Sequence, residues 1–248
     1  MTAPSSDQTP ARLRPEPPVV EHRHRDVRGG AARAAVFGIS DGLVSNVGLI
    51  LGVAGADPAP SVVRVAGLAG LVAGAISMAA GEYNSMRVQS ELFEREVELE
   101  RREIRRNPHV ERAELEQLYQ SRGVTPSASR ALADSVMADE ELAVRTHARE
   151  ELGIDPDELG SPVGAAVSSF GAFCVGAVLP LVPWFVAEGA AATLASLVLA
   201  LVAAVAIGVV IARFTERPWV RVVARQLAFT AVPAALTYTI GSLVGVSV

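Results

Sequence analysis

VVRVAGLAGLVAGAISMAAGEYNSMRVQSELFEREVELERREIRRN, residues 62–107, changes character halfway along without a break. From Val62 to Ala80 it is apolar, with Arg64 as its one charge. From Glu82 it turns polar, and from Glu91 it is dense in Glu and Arg. Between Gly81 and Asn107 no residue breaks a helix, and Pro108 closes the run. The apolar half approaches the roughly 20 residues needed to cross hydrocarbon. The stretch therefore predicts one long helix, embedded in a membrane at its start and standing in water through Glu103.

The surroundings extend this pattern. Residues 34–56 form an earlier apolar run broken by one acid, Asp41, and linked to the second by Asp57-Pro58-Ala59-Pro60-Ser61. Beyond Pro108, helical stretches are expected over about 110–121 and 127–152. Gly123 to Pro126 form the turn between them, and Gly153 with Pro156 form the stop. Apolar runs at about 163–187, 190–212 and 226–247 complete the chain; Pro180 and Pro183 lie near the end of the first, and Pro233 should kink the last.

The expected fold is an all-α polytopic membrane protein. Five transmembrane helices are predicted, with a cytosolic three-helix domain inserted between helices 2 and 3. The chain divides into an arm at 1–33, helices 1–2 at 34–86, the cytosolic domain at 87–160 and helices 3–5 at 161–248. The Pro-rich arm, carrying His22 and His24, has a composition that cannot bury enough surface to fold alone.

Composition agrees. Half of the 248 residues are apolar but only 5% are aromatic, so the hydrophobic content is small and aliphatic, as in close-packed membrane helices. The net charge is −5, and charge is nearly absent from the apolar runs. The single cysteine, Cys174, can form no intramolecular disulfide. All 22 basic residues are Arg, which with abundant Ala and Val points to a GC-rich bacterium and hence to the cell membrane.

Arginine also sets orientation. Arg23, Arg25, Arg28 and Arg33 precede the first run, and Arg213, Arg217, Arg221 and Arg225 lie between the fourth and fifth. The links at 57–61 and 187–190 hold no basic residue. The N-terminus, residues 81–162 and residues 213–225 are therefore placed inside, and the C-terminus outside.

A carboxylate within a span costs roughly 2.5–3.5 kcal/mol on insertion scales, so Asp41 is expected to face a pathway or a partner. Its helical face continues through Ser45, Gly48 and Gly52. On the second run Gly70, Gly74, Met78 and Glu82 recur at i, i+4. They make a stripe that is small at depth and carries a thioether and a carboxylate toward the cytosol, with Met86 one turn on. A thioether selects transition metals over Ca²⁺ or Mg²⁺.

Glu96, Glu100 and Glu103 share a face of the charged helix, Glu111 and Glu114 are paired on the next, and His147 and Glu151 on the third. Carboxylates with one imidazole suit Fe²⁺, Mn²⁺ or Zn²⁺; the bland alternative is a solvated face on which Arg95, Arg101 and Arg102 pair locally. Gly48/Gly52, Gly70/Gly74 and Gly241/Gly245 are spacings that fit helix packing in a homodimer. No phosphate loop, hydrolase triad or nucleic-acid surface is present. The Glu-x-x-His pairs of a di-iron enzyme are missing, since Val144 stands three before His147.

Ile39-Ser40-Asp41-Gly42-Leu43 and Ala73-Gly74-Ala75-Ile76-Ser77-Met78-Ala79-Ala80-Gly81-Glu82-Tyr83 resemble the vacuolar iron transporter family. The glutamate-rich helix from Glu91, and His147 to Ile154, look like its bacterial members. The resemblance covers residues 33–248. It implies five membrane helices, a homodimer in the lipid bilayer, and export of Fe²⁺, often with Mn²⁺, from the cytosol in exchange for protons.

By motif position Asp41 and Met78 match the membrane pathway. Glu100, Glu103, Glu111, Glu114 and Glu151 match the carboxylates of a cytosolic metal-gathering domain. Two departures stand out: Gly70 lies where plant members can carry a glutamate, and His147-Ala148 where a methionine pair can occur. His147 is read as a replacement ligand. The rival to transport is a membrane-anchored scaffold whose charged helices bind a protein partner.

Overall fold

The computed structural model describes residues 30–153 and 160–245, all helical apart from turns and links. Residues 1–29, most of the expected arm, lie outside the described residues together with His22 and His24. Residues 30–33 already belong to α1 (Gly30–Ala54), so the arm's boundary falls earlier than expected. The long helix is continuous: α2 runs from Pro60 to Arg106, 47 residues. At 1.5 Å per residue it is about 70 Å long, more than twice a hydrocarbon core of about 30 Å. Its apolar half packs on α1 and on α6 (Pro162–Val178), while its charged half carries a separate helical cluster.

That cluster consists of α3 (Pro108–Ser121), α4 (Pro126–Met137) and α5 (Glu140–Glu150) against the end of α2. The expected single helix over 127–152 is thus two helices, and the domain has four helical pieces rather than three. The break has a local cause. The Asp139 side chain accepts hydrogen bonds from the backbone N–H groups of Glu141, at 2.9 Å, and Leu142, at 3.1 Å, starting a new helix. Ile104, Leu115, Tyr119, Ala133, Val136, Ala143 and Val144 close a core between the four pieces.

α7 (Gly189–Thr215) and α8 (Trp219–Gly245) complete the membrane part. Among the described residues four helices, α1, α2, α7 and α8, are long and apolar enough to cross a bilayer. The third apolar run is not one helix: α6 has 17 residues, and a 3-10 turn at Val182–Phe185 follows it. Pro180 and Pro183, which bring no N–H to a helix, fall where the α-helix gives way. Pro233 sits inside α8 without ending it. Arg64, inside the second apolar run, donates to the Trp184 carbonyl at 3.2 Å, which provides the charge with a polar partner at that end.

Leu43, Val47 and Leu51 of α1 pack with Ala200, Ala204 and Ile207 of α7 and Ala234 of α8. Small residues permit the approach. A Cβ on Gly176 would strike the Ile39 carbonyl, and one on Gly241 the Gly52 carbonyl. Gly48 and Gly52 face Thr237 of α8, Gly241 faces Gly52 of α1, and Gly245 faces Ala56 just beyond α1. Gly74 lies over the Phe173 ring. The Gly48/Gly52 and Gly241/Gly245 spacings, expected to mark packing in a homodimer, serve the approach of α1 and α8 within one chain, while Gly70 and Gly74 lie on a cavity wall.

Candidate functional site

Two groups of candidate residues lie on α2, one at each end. Among the apolar helices, a cavity of about 350 Å³ lies between α1, α2 and Phe173 of α6. Asp41, Ser45, Gly70, Gly74, Met78 and Glu82 all line it. The i, i+4 stripe on α2 is thus a wall of the cavity, facing Asp41 across it. The face on α1 is shorter than expected, because Gly48 and Gly52 turn to α8. Met86 does not continue the stripe; it is buried against Ala34 and Ala165. Glu82 is half-buried and meets Arg33 of α1 at 3.5 Å, across the mouth. A thioether, two carboxylates and hydroxyls around one space make a mixed soft and hard donor set suited to a divalent transition metal.

At the charged end of α2, Glu100 meets Glu111 of α3 and His147 of α5 in one cluster. A ligand atom from each lies within 4.8 Å of the others. The Asn107-Pro108 elbow brings α3 alongside, with the Asn107 N–H donating to the Glu103 carbonyl at 2.8 Å. His147 is fully buried. Its Nδ1 lies 2.9 Å from the Ala143 carbonyl. Its Nε2 meets the Glu111 backbone carbonyl at 3.3 Å and faces the carboxylates, so acceptors lie at both ring nitrogens. Nε2 is 4.0 Å from Glu100 Oε1 and 3.7 Å from Glu111 Oε2. Donors about 2 Å from one shared metal ion stand about 3 to 4 Å apart, a range that holds both imidazole–carboxylate separations.

The electrostatics show the strain of holding these acids together. Burial pushes the Glu100 carboxyl up to about 7; Glu111, Glu151 and Glu114 push the same way, and His147 opposes them. Burial, followed by Glu114, also raises Glu111. Oxygen Oε1 of Glu100 is buried without a hydrogen-bond partner. Other carboxylates of the domain are matched by arginine: Arg101 meets Glu141 at 3.0 Å, Arg105 meets Glu140 at 2.7 Å and Arg102 meets Glu98 at 3.0 Å. The solvated-face reading holds for those residues and not for Glu100 and Glu111.

Of the remaining candidates, Glu114 and Glu151 are exposed and act on the cluster through their charge. Glu103 accepts from the Asn107 side chain at 3.1 Å. Glu96 is exposed and stands outside the cluster. Sequence reasoning missed Asn46 and Phe173, which also line the membrane cavity. The signal for Asn46 was present, an amide in the middle of an apolar run five residues after Asp41.

Comparison with known proteins adds an independent line. A model of the VIT family matches residues 32–242. The chain is 37% identical over 167 residues to a vacuolar iron transporter of Acanthamoeba castellanii, covering 66% of this chain and 60% of that protein. It is 30% identical over 208 residues to vacuolar iron transporter 1 of Oryza sativa subsp. japonica, covering 82% of each. A vacuolar iron transporter of Toxoplasma gondii is 31% identical over 175 residues, 68% of this chain and 58% of that protein. With a match that runs from α1 into α8, the chain belongs to the VIT family.

Proposed function

We propose that this chain carries Fe²⁺, and Mn²⁺ with it, out of the cytosol in exchange for protons. Family membership makes it a multi-pass membrane transporter rather than an enzyme. The observation that carries the finer reading is the cavity in which Asp41, Met78 and Glu82 converge inside the apolar part of the molecule. Glu100, Glu111 and His147 collect the ion first, with Glu114 and Glu151 adding negative potential and Glu103 flanking. The ion then passes along the α2 side of the bundle to Glu82, Met78 and Asp41. Protons and metal compete for the same carboxylates, so loading releases protons and protonation expels the ion.

In this reading α6 with its 3-10 turn is the fifth crossing, α3 to α5 lie in the cytosol and the C-terminus is outside. Arginine-bearing links such as 213–225, against basic-free links at 57–61 and 187–190, support that orientation. The membrane is the cell membrane, and two copies face each other across the cavity.

The test is Fe²⁺ flux into sealed proteoliposomes, with and without an imposed pH gradient. Flux that rises with the gradient and disappears in Asp41→Ala is expected. Wild-type flux in Asp41→Ala, or none in the wild-type chain, would refute the reading.

A further inference from the structure

Asn46 lies in the interior of α1, 2% exposed, on the wall of the membrane cavity. Its Nδ2 donates to the Ala177 carbonyl of α6 at 2.6 Å. A carbonyl cannot donate, so this bond fixes which way the amide lies. The other end, Oδ1, is a buried acceptor with no hydrogen-bond partner. Buried polar atoms are nearly always paired, so an orphan on a cavity wall needs an explanation.

The residue opposite supplies one. Gly70 of α2 lines the same cavity, and a Cβ placed on it would stand 2.8 Å from Asn46 Oδ1 and collide with Leu49 Cδ2. The missing side chain at Gly70 is the space into which the amide oxygen points. Leu49 crowds that same spot, and its terminal methyl is the movable part. An amide oxygen is a neutral, hard donor of the kind that joins carboxylates around divalent cations. Five residues along α1 from Asp41, it stands about 7.5 Å further from the cytosolic end of the helix.

We propose that Asn46 Oδ1 contacts the permeating divalent cation as the next donor beyond Asp41 and Met78, exposed when Leu49 turns aside, and that Gly70 keeps its approach open. This rests on the transport reading and extends it. Asp41 supplies charge, Met78 selects a soft ion, and Asn46 replaces hydration without adding a second negative group at depth.

Two variants separate this role from a strut between α1 and α6. Asn46→Leu removes both the oxygen and the bond to Ala177. Gly70→Ala leaves that bond intact and covers the oxygen. Fe²⁺ flux in proteoliposomes, with ascorbate keeping the ion reduced, is measured against Fe²⁺ concentration for each. Mn²⁺-dependent thermal stabilisation of the detergent-solubilised chain serves as the check that the cytosolic cluster is intact. Both variants are expected to raise the half-saturating Fe²⁺ concentration about tenfold while keeping the Mn²⁺ stabilisation.

Wild-type half-saturation in Gly70→Ala, with or without a defect in Asn46→Leu, would overturn the proposal and leave Asn46 a strut. No flux from the wild-type chain would instead overturn the transport reading, and the inference would fall with it.

Discussion

Replacing Glu100 by Gln should change metal binding and stability in opposite directions. The Glu100 carboxyl titrates near pH 7 in the folded chain, against an ordinary 4.5. A ligand must be deprotonated to bind, so apparent affinity follows the ionised fraction. With a pKa of about 7, that fraction is about nine-tenths at pH 8 and about one-tenth at pH 6, so Mn²⁺ affinity should fall about tenfold between them. An ordinary glutamate would contribute almost nothing over that range.

The same shift bears on folding. A carboxyl raised in the folded state favours folding most when protonated, so its contribution is best below pH 4.5 and is lost as pH rises toward 7. At pH 8 the cost is at most about 3 kcal/mol, less whatever solvent at the site screens. Glu100→Gln should therefore bind Mn²⁺ far more weakly at pH 8, yet unfold later than the wild type there in the absence of metal. Titration calorimetry and thermal unfolding of the full chain in detergent, at pH 6 and pH 8, read both quantities. An affinity change under twofold in the wild type, or a metal-free variant less stable than wild type at pH 8, would refute the reasoning.

Other expectations are simpler. His147→Ala should weaken Mn²⁺ binding at least tenfold by calorimetry, whereas Glu96→Gln should leave it unchanged, because only His147 sits in the cluster. Gly241→Leu should lower the yield and melting temperature of folded protein, since its side chain would meet the Gly52 carbonyl where neither backbone can yield. Overpacking of this kind costs about 1–3 kcal/mol or more. Asp139→Ala removes the cap of α5 and should cost about 1 kcal/mol, read as faster amide exchange at Glu141 and Leu142.

Features set by residues near one another in sequence were legible before any coordinates. The unbroken α2 follows from the absence of breakers before Pro108, and its stripe of Gly70, Gly74, Met78 and Glu82 follows from helical period alone. What depended on other parts of the chain was not. Glu96, Glu100 and Glu103 look equivalent by spacing, but α3 and α5 bring their ligands to one level, and only Glu100 meets them. The paired glycines look like dimer contacts because a sequence does not say whose backbone they touch. The stop after Met137 was hidden because an N-capping aspartate resembles any surface acid, and the orphan acceptor on Asn46 exists only once Ala177 has claimed the other half of the amide.

The continuity of α2 has a mechanical consequence. Met78 and Glu100 are on one unbroken helix, 22 residues and about 33 Å apart along its axis. Such a helix acts as a lever arm. A tilt of about 5° pivoting near Met78 swings Glu100 by about 3 Å. Because α3 to α5 pack on this same arm around Ile104, a rocking motion that barely disturbs the packing around Met78 carries Glu100, Glu111 and His147 together as one piece.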